Sequence, residues 1–202
     1  MGVSKLSTET EIKIGIGDPD GFQRQLEGLQ PRVVTPRHFE DNYLLDFPDR
    51  RLGSRQWLFR IRCAGERSFL TYKGPPRPEG IFKTREEMEI ALESGTTALQ
   101  IFKQLGMQVW FRYQKYRKEF AIPLSRRSGE EIHVAVDETP VGNYVEFEGS
   151  EEGIRELAHS MRIQESQFLR HSYYAIYLQY CQERGEIPGY MVFPAEREEK
   201  GC

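Results

Sequence analysis

The chain has no apolar run of the length a membrane span needs, which predicts no membrane partner. Its first residues lack the apolar core of a signal peptide. Cysteines number three, Cys63, Cys181 and Cys202, and are unclustered, too few for a disulfide framework or a thiolate metal site. Together these absences predict a cytoplasmic protein. The formal net charge is −3, so no global basic field draws nucleic acid, and no duplex nucleic-acid partner is expected. Nucleotide-loop motifs are missing too. Gly15-Ile16-Gly17 runs into Asp18-Pro19-Asp20-Gly21 and misses the dinucleotide spacing, and no Gly-Lys-Ser/Thr occurs. The histidines at 38, 133, 159 and 171 show no metal-ligand spacing. No internal repeat or low-complexity segment is present.

What remains is charge placed at period two. Glu9, Glu11 and Lys13 share one parity of a strand, and Leu6, Ile12, Ile14 and Ile16 fill its apolar side. The pattern returns: Arg60 and Arg62 alternate with Phe59 and Ile61, and Arg85, Glu87 and Glu89 with Met88 and Ile90. Lys73 follows Thr71, Lys115 and Arg117 flank Tyr116, Asp137 ends a strand, and Glu146 and Glu148 flank Phe147. Eight strand-like runs result, at 5–16, 38–47, 56–64, 67–74, 83–92, 107–121, 131–138 and 143–149. Eight mostly sequential strands suit a closed antiparallel barrel.

Helical patterns interrupt the strands. One, capped by Asp18 or Asp20, presents Phe22, Leu26 and Leu29; a second, capped by Thr96 or Thr97, presents Leu99, Phe102 and Leu105 and stops at Gly106. A third follows Ser150, and a fourth spans about 165–183. The tyrosines at 173, 174, 177 and 180 are read as covering a barrel mouth or packing on strands. Arg50-Arg51 and Arg126-Arg127 read as solvated loop charges. A single domain is expected over 1–183, with a tail over 184–202 in which Tyr190–Phe193 dock and Glu196–Cys202 fray. The fold expected is thus α+β, mainly β: an eight-stranded antiparallel tunnel with helices packed outside and a C-terminal helix near the mouth.

Helices packed outside put the apolar faces outward and the charged faces into the lumen. Unpaired ions in a dry lumen would cost several kcal/mol each, so the lumen must be wet and occupied. Clustered carboxylates call for hard divalent cations. Clustered arginine and lysine call for a compact polyanion. Both in one cavity describe a metal-chelated polyphosphate.

The ordered set resembles the CYTH, or triphosphate tunnel metalloenzyme, family. The resemblance runs from Glu9-Thr10-Glu11-Ile12-Lys13 through His38-Phe39-Glu40-Asp41-Asn42-Tyr43, Asp46 and Leu58-Phe59-Arg60-Ile61-Arg62. It continues through Thr71-Tyr72-Lys73-Gly74, Arg85-Glu86-Glu87-Met88-Glu89, Lys115-Tyr116-Arg117, Asp137 and Glu146-Phe147-Glu148 to Ser172-Tyr173, about residues 7–180. Glu40-Asp41-Asn42 and the Leu58–Arg62 run resemble the class IV adenylyl cyclase branch in particular. The resemblance implies one or two Mg²⁺ or Mn²⁺ ions held by Glu9, Glu11, Asp137, Glu146 and Glu148, with Glu87 and Glu89 as a second set. It implies phosphate contacts from Lys13, Arg60, Arg62, Lys73, Arg85, Lys115 and Arg117, and a catalytic group of Glu9, Glu11 and Lys13. Lys13 serves as a base toward water only if neighbouring cations outweigh Glu9 and Glu11. The departure is His171, where many members carry a lysine before the Ser-Tyr pair.

The expected activity is divalent-metal-dependent cleavage of an inorganic, nucleoside or thiamine triphosphate, by a monomer or homodimer. The alternatives are a class IV adenylyl cyclase, making cyclic AMP and pyrophosphate from ATP, and a non-catalytic polyphosphate-binding module.

Overall fold

The computed structural model describes residues 7–124 and 129–194. Leu6, Arg126-Arg127 and Glu196–Cys202 lie outside the described residues. Eight strands form the barrel: β1 (Ser7–Ile16), β2 (Arg32–Asp46), β3 (Leu58–Ala64), β4 (Arg67–Lys73), β5 (Lys83–Leu92), β6 (Gln108–Pro123), β7 (Glu131–Thr139) and β8 (Gly142–Glu148). All pairings are antiparallel, in the order β5-β4-β3-β2-β6-β7-β8-β1, and β1 pairs with β5 to close the ring. Closure removes the open edges that would otherwise invite pairing with another chain. Four helices lie outside: α1 (Pro19–Glu27), α2 (Gly95–Gln104), α3 (Glu151–Ser160) and α4 (Tyr173–Arg184). No helix among the described residues is long and apolar enough to cross a membrane.

The apolar parity of the strands faces outward, under the helices. Phe22 and Leu26 of α1 and Ile154, Leu157 and Ala158 of α3 pack on Ile12, Ile14, Phe120, Val134, Val136, Val145 and Phe147. Leu99 and Phe102 of α2 pack near Ile61 and Leu45. Each fully buried large side chain of this kind stabilises by about 1.5–3 kcal/mol, so the core is a sleeve around the barrel. The lumen is thereby left to the charged parity.

Several boundaries differ from the sequence expectation. β2 begins at Arg32, six residues early, because register shifts on both sides of Thr35 admit Pro36 without a central ladder donor. The α2 cap is Ser94, whose hydroxyl accepts from the Thr97 amide at 3.1 Å, rather than Thr96 or Thr97. Gly106 does end that helix, at φ +87°. The fourth helix starts at Tyr173, capped by Ser172. The stretch before it holds a 3₁₀ turn, Glu165–Gln167, and a two-residue strand, β9 (Phe168–Leu169), which pairs with Lys13 and Ile14 of β1. Met191 docks by exchanging backbone hydrogen bonds with Arg112 and Gln114, at 3.0 and 2.9 Å.

Candidate functional site

Strand register sets the charged residues side by side. Glu9 faces Arg85 and Glu11 faces Lys83 across the β1–β5 seam; on the other edge Glu11 faces Glu148 and Lys13 faces Glu146. Lys73 lies beside Glu87, Lys115 beside Glu40, and Arg117 beside Asp137. A cavity of about 840 Å³ results. All seven predicted phosphate contacts line it, Lys13, Arg60, Arg62, Lys73, Arg85, Lys115 and Arg117, as do Glu9, Glu11, Glu87, Glu89, Glu146 and Glu148.

The two signs pair with each other across the lumen. Lys73 donates to both oxygens of Glu9, at 2.6 and 2.5 Å, and reaches Glu87 at 3.2 Å. Lys83 donates to Glu11 at 2.6 Å, and Lys13 contacts Glu146 at 2.7 Å. Arg62 bridges Glu40, at 3.2 Å, and Glu89, at 2.9 Å. Arg117 binds Glu146 and Asp137 together. Pairing is incomplete in one informative respect. The buried Nε atoms of Arg60, Arg62 and Arg85 have no hydrogen-bond partner. Buried donors of a charged group are costly to leave unmade, and an anionic ligand satisfies them.

Asp137 sits differently from the other predicted cation ligands. It is fully buried, beneath the lining, and four donor contacts take its carboxylate: Lys115 at 3.0 Å, Arg117 at 2.7 and 2.6 Å, and Tyr173 at 2.5 Å. In this arrangement it holds Lys115, Arg117 and the start of α4 in place.

The ionisation states follow from these neighbours. Burial opposes the charge on Lys13, but Glu11 and Glu146 outweigh it and hold the ammonium above the ordinary lysine range. The carboxylates therefore outweigh the neighbouring cations and favour the ammonium form of Lys13. Burial likewise opposes ionisation of Glu11, and Lys13 and Lys83 more than reverse it, well below the usual carboxylate range. The Glu9–Lys73 pair is asymmetric. Burial raises Glu9, and Glu11 and Glu87 add to that beyond what Lys73 returns, whereas Lys73 is held cationic by Glu9 and Glu11 despite its burial.

Glu148 is open to lumen solvent yet crowded by the wall. That crowding and the charge of Glu9, against Lys73 and with Glu11 and Glu87, push it up to about 7. The sign of the effect is fixed. Between pH 4.5 and 7 the folded chain holds a proton on Glu148 that the unfolded chain has released, so this group's contribution to stability falls as pH rises. A divalent cation needs the ionised form, so its affinity should rise from pH 6 to pH 8 with proton release. Calorimetric titration with Mn²⁺ in two buffers of different ionisation enthalpy checks this; uptake that is independent of both buffer and pH sinks it.

Lys83 and Tyr113, outside the expected set, also stand in the wall, and Glu40 lies buried behind it. Lys83 shares the parity of Arg85, Glu87 and Glu89 and opens the same strand. Glu40 is buried between Lys115, at 3.4 Å, Arg62 and His38. Tyr113 accepts from Arg60 at 3.1 Å. His171 reaches the cavity lining, while its neighbour Arg170 holds the β4–β5 loop by donating to the Gly80 and Arg77 carbonyls at 2.8 and 2.7 Å.

A CYTH domain model matches residues 7–173, the span from the first barrel strand to the first residue of α4. The chain belongs to the CYTH family. A Methanocaldococcus jannaschii protein named "putative adenylate cyclase" is 32% identical over 149 residues, 73% of this chain and 80% of that protein. A Vibrio parahaemolyticus structure described as a "putative adenylate cyclase" superposes with a TM-score of 0.70 at 20% identity, over 85% of this chain and 98% of the other. A Hippeastrum structure superposes with a TM-score of 0.58 at 16% identity, over 89% and 97%. Its description reads "putative adenylyl cyclase" with "a dominant triphophatase activity". At these identities the two structures show a shared fold.

Among the described residues of this CYTH chain, no three carboxylate, imidazole or thiolate groups converge into a ready cation site. The donor chemistry still fits a hard divalent cation. Glu9, Glu11, Glu146 and Glu148 offer oxygen ligands from adjacent strands, the first three paired with ammonium or guanidinium groups.

Proposed function

We propose that this CYTH protein cleaves a phosphoric anhydride of a triphosphate with the help of a divalent cation. The observation that supports it most directly is the lumen wall, where basic and acidic side chains face each other and the buried Nε donors of Arg60, Arg62 and Arg85 have no hydrogen-bond partner. A triphosphate entering the tunnel takes Arg60, Arg62, Arg85 and Lys73 as donors, and Glu9, Glu11, Glu146 and Glu148 are then free to hold cations. A bound Mg²⁺ or Mn²⁺ supplies charge neutralisation on phosphate oxygens and a site that orients the attacking group. Arg117 and Lys115, fixed by Asp137, stabilise charge that spreads over the phosphoryl oxygens. Lys13, kept cationic, belongs with this set as a phosphate contact. Glu87 and Glu89, paired with Lys73 and Arg62, anchor the basic set in this reading and are the candidates for a second cation.

Cyclisation of ATP is the second reading, favoured by the name of the archaeal relative. The protein is incubated with inorganic triphosphate, ATP and thiamine triphosphate, each with Mg²⁺ or Mn²⁺, and the products are identified. Orthophosphate release from a triphosphate supports hydrolysis. Cyclic AMP with pyrophosphate replaces it with the cyclase reading, and tight binding without any turnover leaves only a polyphosphate-binding module.

A further inference from the structure

Glu40 is buried behind the cavity lining and meets two of the basic wall residues from the rear. Arg62 donates to its Oε1 at 3.2 Å, and the Lys115 ammonium lies 3.4 Å from its Oε2. Strand register sets this up. Glu40 pairs with Lys115 on β6, and Arg62 of β3 pairs with Asn42, two positions along the same face of β2. The hold is looser than that of Asp137, which takes Lys115 at 3.0 Å. Glu40 Oε2 makes no hydrogen bond, and the buried Asn42 beside it has both carboxamide atoms unpartnered. A cluster with unused hydrogen-bonding capacity can redistribute its partners when one nearby charge changes.

That charge is supplied by His38, two residues before Glu40 on the same face. Its side chain is 20% exposed, so it exchanges protons with solvent. Nδ1 lies 2.9 Å from the Pro36 carbonyl oxygen, which can only accept, so Nδ1 carries a proton. Nε2 points at Glu40 Oε1, 3.4 Å away. Burial opposes ionisation of Glu40, but Lys115, His38, Arg117 and Arg62 outweigh it and keep it a carboxylate. A neutral ring with its proton on Nδ1 would turn a bare lone pair toward that carboxylate. The contact therefore belongs to the imidazolium. From β6, Arg117 is the register partner of His38, its charge taken by Asp137 and Glu146, and Glu119 adds a further negative charge. The contact with Glu40 raises His38 above the ordinary imidazole range, against burial and with help from the Pro36 carbonyl.

We propose that Glu40 is a positioning residue for Arg62 and Lys115, and that the proton on His38 sets how firmly it holds them. The inference rests on the triphosphate reading above and deepens it by giving the phosphate wall a proton-dependent setting. With His38 charged, the carboxylate is shared among three cations, and Arg62 and Lys115 are freer to turn to phosphate. With His38 neutral, Glu40 is left to those two and competes with the ligand for them. Phosphate affinity should therefore be higher with His38 protonated, and by linkage a bound triphosphate should raise the pH at which His38 loses its proton. A rise of about half to one pH unit corresponds to roughly a three- to tenfold gain in affinity.

Proton NMR of the imidazoles tests it, the His38 signal being identified by its loss in His38→Gln. Inorganic triphosphate is added without metal, which keeps cation binding at Glu148 out of the measurement. The His38 midpoint should rise by about half to one unit. It should rise far less in Glu40→Gln. Calorimetry supplies the second readout. The ratio of triphosphate affinity at pH 6 to that at pH 8 should be roughly three to ten times smaller in His38→Gln, whose amide is a donor that does not titrate. The titration of triphosphate itself cancels in this comparison. A His38 midpoint that triphosphate leaves unmoved, a rise that persists in full in Glu40→Gln, or an unchanged affinity ratio in His38→Gln overturns the proposal. The two His38 measurements decide it even where Glu40→Gln does not fold. If triphosphate binds and the His38 midpoint does not move, only this inference fails. If triphosphate binds at neither pH, the tunnel reading fails with it.

Discussion

Glu11→Gln should lower divalent-cation-dependent triphosphate turnover roughly 100- to 1,000-fold, the usual effect of removing one preorganised electrostatic contact from a site. Glu11 stands where β5 and β8 both meet β1, between Lys83 and Lys13. Glutamine keeps the shape and removes the charge. Folding should survive. Lys13 retains Glu146, and burial has already pulled Lys83 below the usual lysine range, so it can shed its proton when Glu11 no longer holds it. Phosphate release with Mn²⁺, measured beside a thermal melt, separates the two effects. Turnover comparable to the unmodified protein would remove Glu11 from the site.

The largest stability effect belongs to Asp137→Ala. Its carboxylate holds Lys115, Arg117 and Tyr173, all buried or nearly so. Taking away one member of such a cluster leaves charges without a counter-ion, at a cost of about 3–5 kcal/mol. Urea unfolding should show a lower midpoint at an unchanged slope. A midpoint equal to that of the unmodified protein would mean that Lys115 and Arg117 are adequately held by Glu40 and Glu146.

The barrel was legible because its strands alternate cleanly. Ile12, Ile14, Val145 and Phe147 report an outer sleeve, and the charges between them report a lumen. Period two fixes which residues share a face, and the seven basic residues and six of the carboxylates accordingly line one cavity. What alternation does not encode is depth. Asp137 shares the inward parity but lies beneath the lining, because Tyr173 arrives from α4, a contact across 36 positions. Propensity also misplaced the last helix. The run from Glu165 is polar enough to look helical, yet residues 168–169 are drawn into pairing with β1. Lys83 shares the inward face with Arg85, two positions on, but lies outside the Arg85–Glu89 run that carries the family resemblance.

The shared edge of β1 has a temporal consequence. Its Ser7–Glu11 half bonds to β5, and its Glu11–Ile16 half to β8, near the far end of the barrel in sequence. The first strand of the barrel thus closes the ring only after Glu148 has left the ribosome, and gains β9 later still. Contacts so distant in the chain form late. The strand that bears Glu9, Glu11 and Lys13 is therefore the keystone of the ring. The charged wall comes into being only with closure, so a nascent, half-built barrel has no assembled site with which to trap polyphosphate or metal.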